Sequence, residues 1–148
     1  MADTNLSQAE ADVLITIEKI RTDENEHDYP EPGGKLLIPL TSRDKKENFI
    51  LDVTRSQINL AKVTQQNRAR QIVVLMRLCV GGSTHRNPDG EEVPCPHLHI
   101  FREGYGDKWA VPAPADKYPT PDDPFRTFED FMRHCNVVEP PKIQKGLF

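Results

Sequence analysis

The chain has 148 residues, a net charge of −4 and 28% charged residues, which suits one domain over residues 1–148 that buries roughly two thirds of its unfolded surface without a disulfide staple. An acidic total supplies no overall positive field, so a nucleic-acid partner would depend on a local basic patch. Cys79, Cys95 and Cys135 are far apart with no C-x-x-C spacing, the N-terminus lacks a basic region followed by an apolar stretch, and the longest apolar run, residues 72–76, is too short to cross a bilayer. The expectation is a cytoplasmic protein with no membrane partner.

In chain order, Ser7-Gln8-Ala9-Glu10 has capping-box spacing and Val13, Leu14, Ile17 and Ile20 recur on one face, predicting a helix from about residue 7 to 23. Residues 22–34, with five acidic residues, two prolines and Gly33-Gly34, read as a loop without regular structure. Residues 35–40 end near Pro39 and suit an edge strand or strand terminus, with a charged turn at 41–48. Phe49, Leu51 and Val53 then alternate with Ile50, Asp52 and Thr54 as a half-buried strand, which residues 58–64 can continue as a hairpin. Residues 65–70 are polar and basic.

Residues 71–80 give a clear strand, with Ile72, Val74, Met76, Leu78 and Val80 on one face and Arg77 and Cys79 on the other. Gly81-Gly82 and Asn87-Pro88-Asp89-Gly90 punctuate a long connection, the second as a type I turn. A strand follows over residues 96–103, then a proline-rich stretch at 112–125, and Thr127 opens a helix with Phe128, Phe131, Met132 and Cys135 on one face. The predicted fold is α+β: an antiparallel, partly barrel-like sheet of about five to six strands with an N-terminal and a C-terminal helix.

The strand at 96–103 carries the candidate chemistry. Its period of two puts His97, His99, Phe101 and Glu103 on one face and the apolar Leu98 and Ile100 on the core face. Two imidazoles about 7 Å apart can act as an acid–base pair, as metal ligands, or as hydrogen-bonding groups that only hold the 87–90 turn in place. Antiparallel pairing with residues 71–80, core face to core face, brings Arg77 and Cys79 to the histidines, and His85 can fold back to them. His97, His99, His85 and Arg77 are therefore the candidate catalytic residues, with Lys62, Arg68, Tyr105 and Trp109 as candidate substrate contacts by charge and stacking. Such a set suits metal-independent cleavage of RNA with no cofactor: one histidine takes the 2′-hydroxyl proton, the other protonates the leaving oxygen, and a cation stabilises the phosphorane.

Two local resemblances and one wider one bear on this reading. His97-x-His99-x3-Glu103 is similar to the centre of the first cupin motif, which implies a metal site, although the second motif is missing downstream. Pro39-Leu40-Thr41-Ser42 followed by Lys45 resembles an element of the type III toxin ribonucleases of phage defence, implying an endoribonuclease with Thr41, Ser42 and Lys45 near the phosphate; an ordinary polar turn has the same composition. Over most of the chain, Phe49-Ile50-Leu51-Asp52 with Arg55, Lys62 and Gln66-Asn67-Arg68, then His85-x-Asn87-Pro88-Asp89-Gly90, Pro96-His97-Leu98-His99 and Glu103-Gly104-Tyr105, resembles an uncharacterised family of small bacterial and phage-associated proteins. That resemblance implies a mobile-element or defence setting, in which the leading expectation is an endoribonuclease toxin with a protein or RNA antitoxin. The alternatives are a non-enzymatic binding or inhibitor protein that uses its acidic loops, and a metal-binding domain built on the HxHxxxE strand.

Overall fold

The structure, a computed structural model, describes residues 5–146. In chain order its elements are α1 (Gln8–Thr16), β1 (Lys19–Arg21), β2 (Glu26–Asp28), β3 (Lys35–Ser42), β4 (Asn48–Arg55), β5 (Val63–Ala69), β6 (Val73–Val80), β7 (His85–Arg86), β8 (Glu92–Val93), β9 (His97–Ile100), β10 (Ala110–Pro112), α2 (Pro124–His134), β11 (Val137–Glu139) and β12 (Lys142–Gln144). Eight strands form one sheet in the order β10-β9-β6-β5-β4-β3-β1-β11, antiparallel except where β1 meets β11. The sheet is open, so the expected barrel-like closure does not form, and it is wider than expected. Ala11 and Leu14 of α1 and Phe128, Phe131 and Met132 of α2 share one core with Phe49, Leu51, Val53, Leu78 and Leu98. Both helices thus cover the same face of the sheet, in a two-layer α+β arrangement.

The capping box forms as predicted, with the Glu10 N–H donating to the Ser7 hydroxyl at 3.1 Å. The helix, however, ends at Thr16 rather than near residue 23. Ile15, Thr16 and Ile17 are a β-branched run that disfavours helix, and the Asn136 side chain donates to the Thr16 carbonyl at 2.7 Å, taking it out of the helical ladder. The buried stripe is Ala11 and Leu14, while Val13 is 57% exposed. The chain continues into β1 and places Lys19 inside the protein, where its ammonium donates to the carbonyls of Ile15, Ile17 and Cys135 at 2.9, 3.2 and 2.8 Å.

Long-range pairing overrides several local readings. The acidic stretch at 22–34 contains β2, which pairs in parallel with β12. β3 lies inside the sheet, and Pro39 is accommodated because β1 pairs only with residues 40–42. β5, read as polar and basic, is a central strand: Val63, Gln65, Asn67 and Ala69 all face the core. Gln65 satisfies one end of its amide on the Leu78 carbonyl at 3.0 Å.

In β6 a bulge opposite Asn67 and Arg68 shifts the alternation by one residue. Val73 and Leu75 therefore join Met76 and Leu78 in the core, and Ile72, expected inside, is 42% exposed. Phe101 turns into the core for the same reason, its N–H bonded to the carbonyl of the bulge residue Leu75. Ile100, expected on the core face, is 38% exposed. Helix α2 starts at Pro124, ahead of Thr127, because Asp123 caps it and proline fits its first turn.

Candidate functional site: an imidazole basin on the uncovered face of the sheet

β6 and β9 pair as the alternation predicted, with Arg77 opposite His99 and Cys79 opposite His97. Leu78 and Leu98 face the helices and are completely buried, so the four polar side chains stand together on the other face. The chain leaves β6 through Gly81, at φ +70°, where an added Cβ would lie 2.1 Å from the Ala61 carbonyl oxygen. It then forms the β7–β8 hairpin over that face. The predicted turn closes with the Gly90 N–H donating to the Asn87 carbonyl at 2.8 Å. Buried Asn87 docks the hairpin on β10: its amide donates to the Ala110 carbonyl at 3.0 Å and accepts the Ala110 N–H at 2.8 Å. Asn87, not a histidine, anchors the turn.

This docking carries His85 to the strand histidines. Its ring centroid lies 4.5 Å from that of His99 and 5.8 Å from that of His97, and the His97 and His99 rings are 5.0 Å apart. The β9–β10 connection fixes two of these rings through consecutive carbonyls. His99 Nδ1 donates to the Asp107 carbonyl at 2.8 Å, and His85 Nε2 donates to the Lys108 carbonyl at 2.7 Å. Asp107 also pairs through its carboxylate with Arg77, whose guanidinium lies 3.5 Å from His99 Nδ1.

Burial sets the charge states. It pushes His99 down to about 4, with the Arg77 guanidinium adding to the effect, and lowers His97, with His85 adding. Burial also raises the Cys79 thiol, against the opposing pull of Arg77. Near neutral pH the two strand imidazoles are therefore uncharged and the Cys79 thiol is protonated. The side chains line an open basin of about 580 Å³ with Thr54, Lys62, Thr64, Gln66 and Cys95 on its walls and no carboxylate in its lining.

Of the residues singled out from the sequence, His85, His97, His99, Arg77 and Lys62 meet in this basin. Arg68 lies outside it, engaged at both ends with the Asp52 carboxylate at 2.7 and 2.9 Å. Tyr105 and Trp109 also lie outside. Ala110 pairs with His99 and takes the histidine face, which sends the preceding Trp109 to the other side beside Leu98 and Ile100. There Trp109 meets Tyr105 edge to face at 5.7 Å and lies 4.1 Å under the Arg102 guanidinium.

Glu103 also leaves the histidine face. Its carboxylate accepts the Gln8 N–H at 2.7 Å, at the positive end of α1. The HxHxxxE spacing therefore does not converge, whereas the donor atoms of Cys79, His97 and His99 all lie within 4.8 Å of one another. Sequence reasoning placed Cys79 on this face without giving it a role, and it missed Thr54, Thr64, Gln66 and Cys95, whose convergence depends on sheet order. Thr41, Ser42 and Lys45 belong to the β3–β4 hairpin, where Ser42 bonds Asp44 at 2.6 Å. That hairpin sits at the end of the sheet away from Cys79 and His97, so the toxin-like element is a turn remote from the basin.

Fold and site thus define a two-layer α+β protein with an imidazole basin on the face its helices leave uncovered. A family model described as a family of unknown function (DUF6978) matches residues 6–137, and the chain belongs to that family. No curated protein and no solved structure matches it. Among the described residues no helix is long and apolar enough to cross a membrane.

Proposed function

We propose that the basin binds a phosphodiester and that the protein is an RNA-cleaving enzyme of the endoribonuclease type. The observation that carries this reading is the lining: three imidazoles, the Lys62 ammonium and the Arg77 guanidinium, itself paired with the Asp107 carboxylate at the margin, meet in a basin whose lining residues include no Asp or Glu, in a chain whose net charge is −4. The Lys62 ammonium and the Arg77 guanidinium on one wall of an acidic molecule suit an anionic ligand held at one place. In the cleavage step the 2′-hydroxyl oxygen bonds to the adjacent phosphorus as the bond to the 5′ oxygen breaks, giving a 2′,3′-cyclic phosphate and a 5′-hydroxyl. The proton lost from the 2′ oxygen goes to a basic group of the basin or to water, the departing oxygen gains one from water, and Arg77 and Lys62 offset charge on the phosphorane. Burial opposes protonation of both strand imidazoles, most strongly at His99, which suits them to metal ligation more than to proton transfer.

The test is incubation of purified protein with mixed cellular RNA, once in EDTA and once with added zinc, beside a His97→Ala, His99→Ala variant. Cleavage by the wild type alone in either condition is the expected result; intact RNA in both would overturn the proposal. Lys62→Ala should weaken RNA binding and reduce the dependence of log K on log salt by about 0.7 to 0.9, the share of one phosphate contact.

A further inference from the structure

We infer that Cys79, His97 and His99 form a binding site for a divalent transition metal of the zinc class, with the fourth coordination position facing the basin and His85. The inference rests on the basin's being the functional site and changes its chemistry, because the sequence pointed to a metal-independent histidine pair.

Geometry is the first argument. Two imidazoles on one tetrahedral zinc have their coordinating nitrogens about 3.3 Å apart and their ring centroids about 5 Å apart, and a thiolate sulfur about 3.6 Å from each nitrogen, from Zn–N bonds of about 2.0–2.1 Å and Zn–S of about 2.3 Å. The His97 and His99 centroids are 5.0 Å apart, and the three donor atoms lie within 4.8 Å of one another. Closing on an ion requires movements of about 1 Å, within the reach of side-chain rotation. Cross-strand pairing presents sulfur and nitrogen together, because Cys79 stands opposite His97 and His99 is two residues along the same strand face.

The surroundings of the imidazoles are the second argument. A metal-ligating histidine ordinarily donates its other ring N–H to a carbonyl or carboxylate, which fixes the ring and leaves a lone pair for the ion. His99 does this to the Asp107 carbonyl, leaving Nε2, and His85 does it to the Lys108 carbonyl, leaving Nδ1. Two histidines 14 residues apart in sequence are thus oriented by adjacent peptide groups of one loop. His85, with its ring 4.5 Å from that of His99, is placed to close the fourth position or to bond a water held there.

The chemistry of the donors is the third. One sulfur and two nitrogens without a carboxylate favour zinc, cobalt or copper over magnesium or calcium. The thiol gives up its proton on binding: an S–H bond is replaced by an S–metal bond and one proton passes to the buffer.

The experiment uses the full chain, stripped with a chelator, dialysed and titrated with cobalt(II) and then zinc(II). One ion per chain is expected, with visible d–d bands of tetrahedral intensity and a near-ultraviolet sulfur-to-cobalt charge-transfer band, all bleached by equimolar zinc. Cys79→Ser should abolish the charge-transfer band and weaken binding by more than about 100-fold, beyond the loss typical of an outer-shell partner. Glu103→Gln should leave spectrum and affinity unchanged. No saturable cobalt binding, or binding without the sulfur band in the wild type, overturns the inference, and the second reading needs no variant to fold. A protein that binds cobalt through Cys79 but leaves RNA intact retains the metal site and loses the phosphodiester reading. One that cleaves RNA in EDTA and binds no cobalt does the reverse.

Discussion

Lys19→Met offers a quantitative test of how the fold joins α1, β1 and α2. Lys19 is 1% exposed, its ammonium donates to three carbonyls and it lies 4.9 Å from the centre of the Phe49 ring. Burial nevertheless lowers it from 10.5 to about 8. The unfolded chain holds this proton up to about pH 10.5 and the folded chain sheds it near 8, so between these values the unfolded state binds more protons and stability rises with pH. At 1.36 kcal/mol per pKa unit, the group should add roughly 2 to 3 kcal/mol to folding stability between pH 7 and pH 10. Cys135, the neighbouring ionisable group, is raised to about 12 by its own burial and stays neutral throughout this window.

The assay is urea unfolding of wild type and Lys19→Met at half-unit steps from pH 7 to 10. Subtracting the variant removes the titration of every other group, while the carbonyls orphaned by methionine contribute an offset that does not vary with pH. The expected difference grows in favour of the wild type as pH rises, most steeply between pH 8 and 10. A flat difference, or one that shrinks with pH, would refute the assignment of a charged lysine held at a desolvation cost.

Asn87→Ala removes both hydrogen bonds to Ala110 and leaves a buried N–H and carbonyl unpaired, a loss of about 2 to 4 kcal/mol. It should release the hairpin that carries His85 while α1, α2 and the central strands stay folded; hydrogen exchange rising at residues 83–93 and 110 alone is the expected pattern. Gly81→Ala forces an L residue to φ +70° with its Cβ against the Ala61 carbonyl. The positive φ alone costs about 1 to 2 kcal/mol, so a drop of more than about 2 kcal/mol in urea unfolding should follow, and an unchanged midpoint would contradict the close approach.

How far the site was legible follows from where its residues lie. The pairing of residues 71–80 with the histidine strand could be read in advance because each strand has one apolar face, and matching those faces leaves a single register parity. That sufficed to place Arg77 and Cys79 beside His97 and His99. The same logic failed where a bulge reversed the alternation, at Ile72 and Val74, and where Phe101 followed it into the core. β5 escaped because Gln65 and Asn67 occupy inward positions, and nothing local marks an inward amide. The ends of the histidine strand misled for another reason: Glu103 was assigned by a period that the strand keeps only as far as Ile100, and the α1 N-terminus then captured its carboxylate.

By itself the sequence determined the periodicities: the capping box at Ser7, the apolar face of α2, the Asn87 to Gly90 turn and the shared face of the two strand histidines. These follow from contacts within a few residues, where backbone geometry dictates which side chains lie together. Only the tertiary structure decided that the sheet stays open with both helices on one side, that Asn87 docks on Ala110 to bring His85 in, and that Cys79 instead of Glu103 completes the cluster. Those choices depend on which distant backbone groups and which buried faces find partners, and such pairing is settled by the competition among all the strands at once.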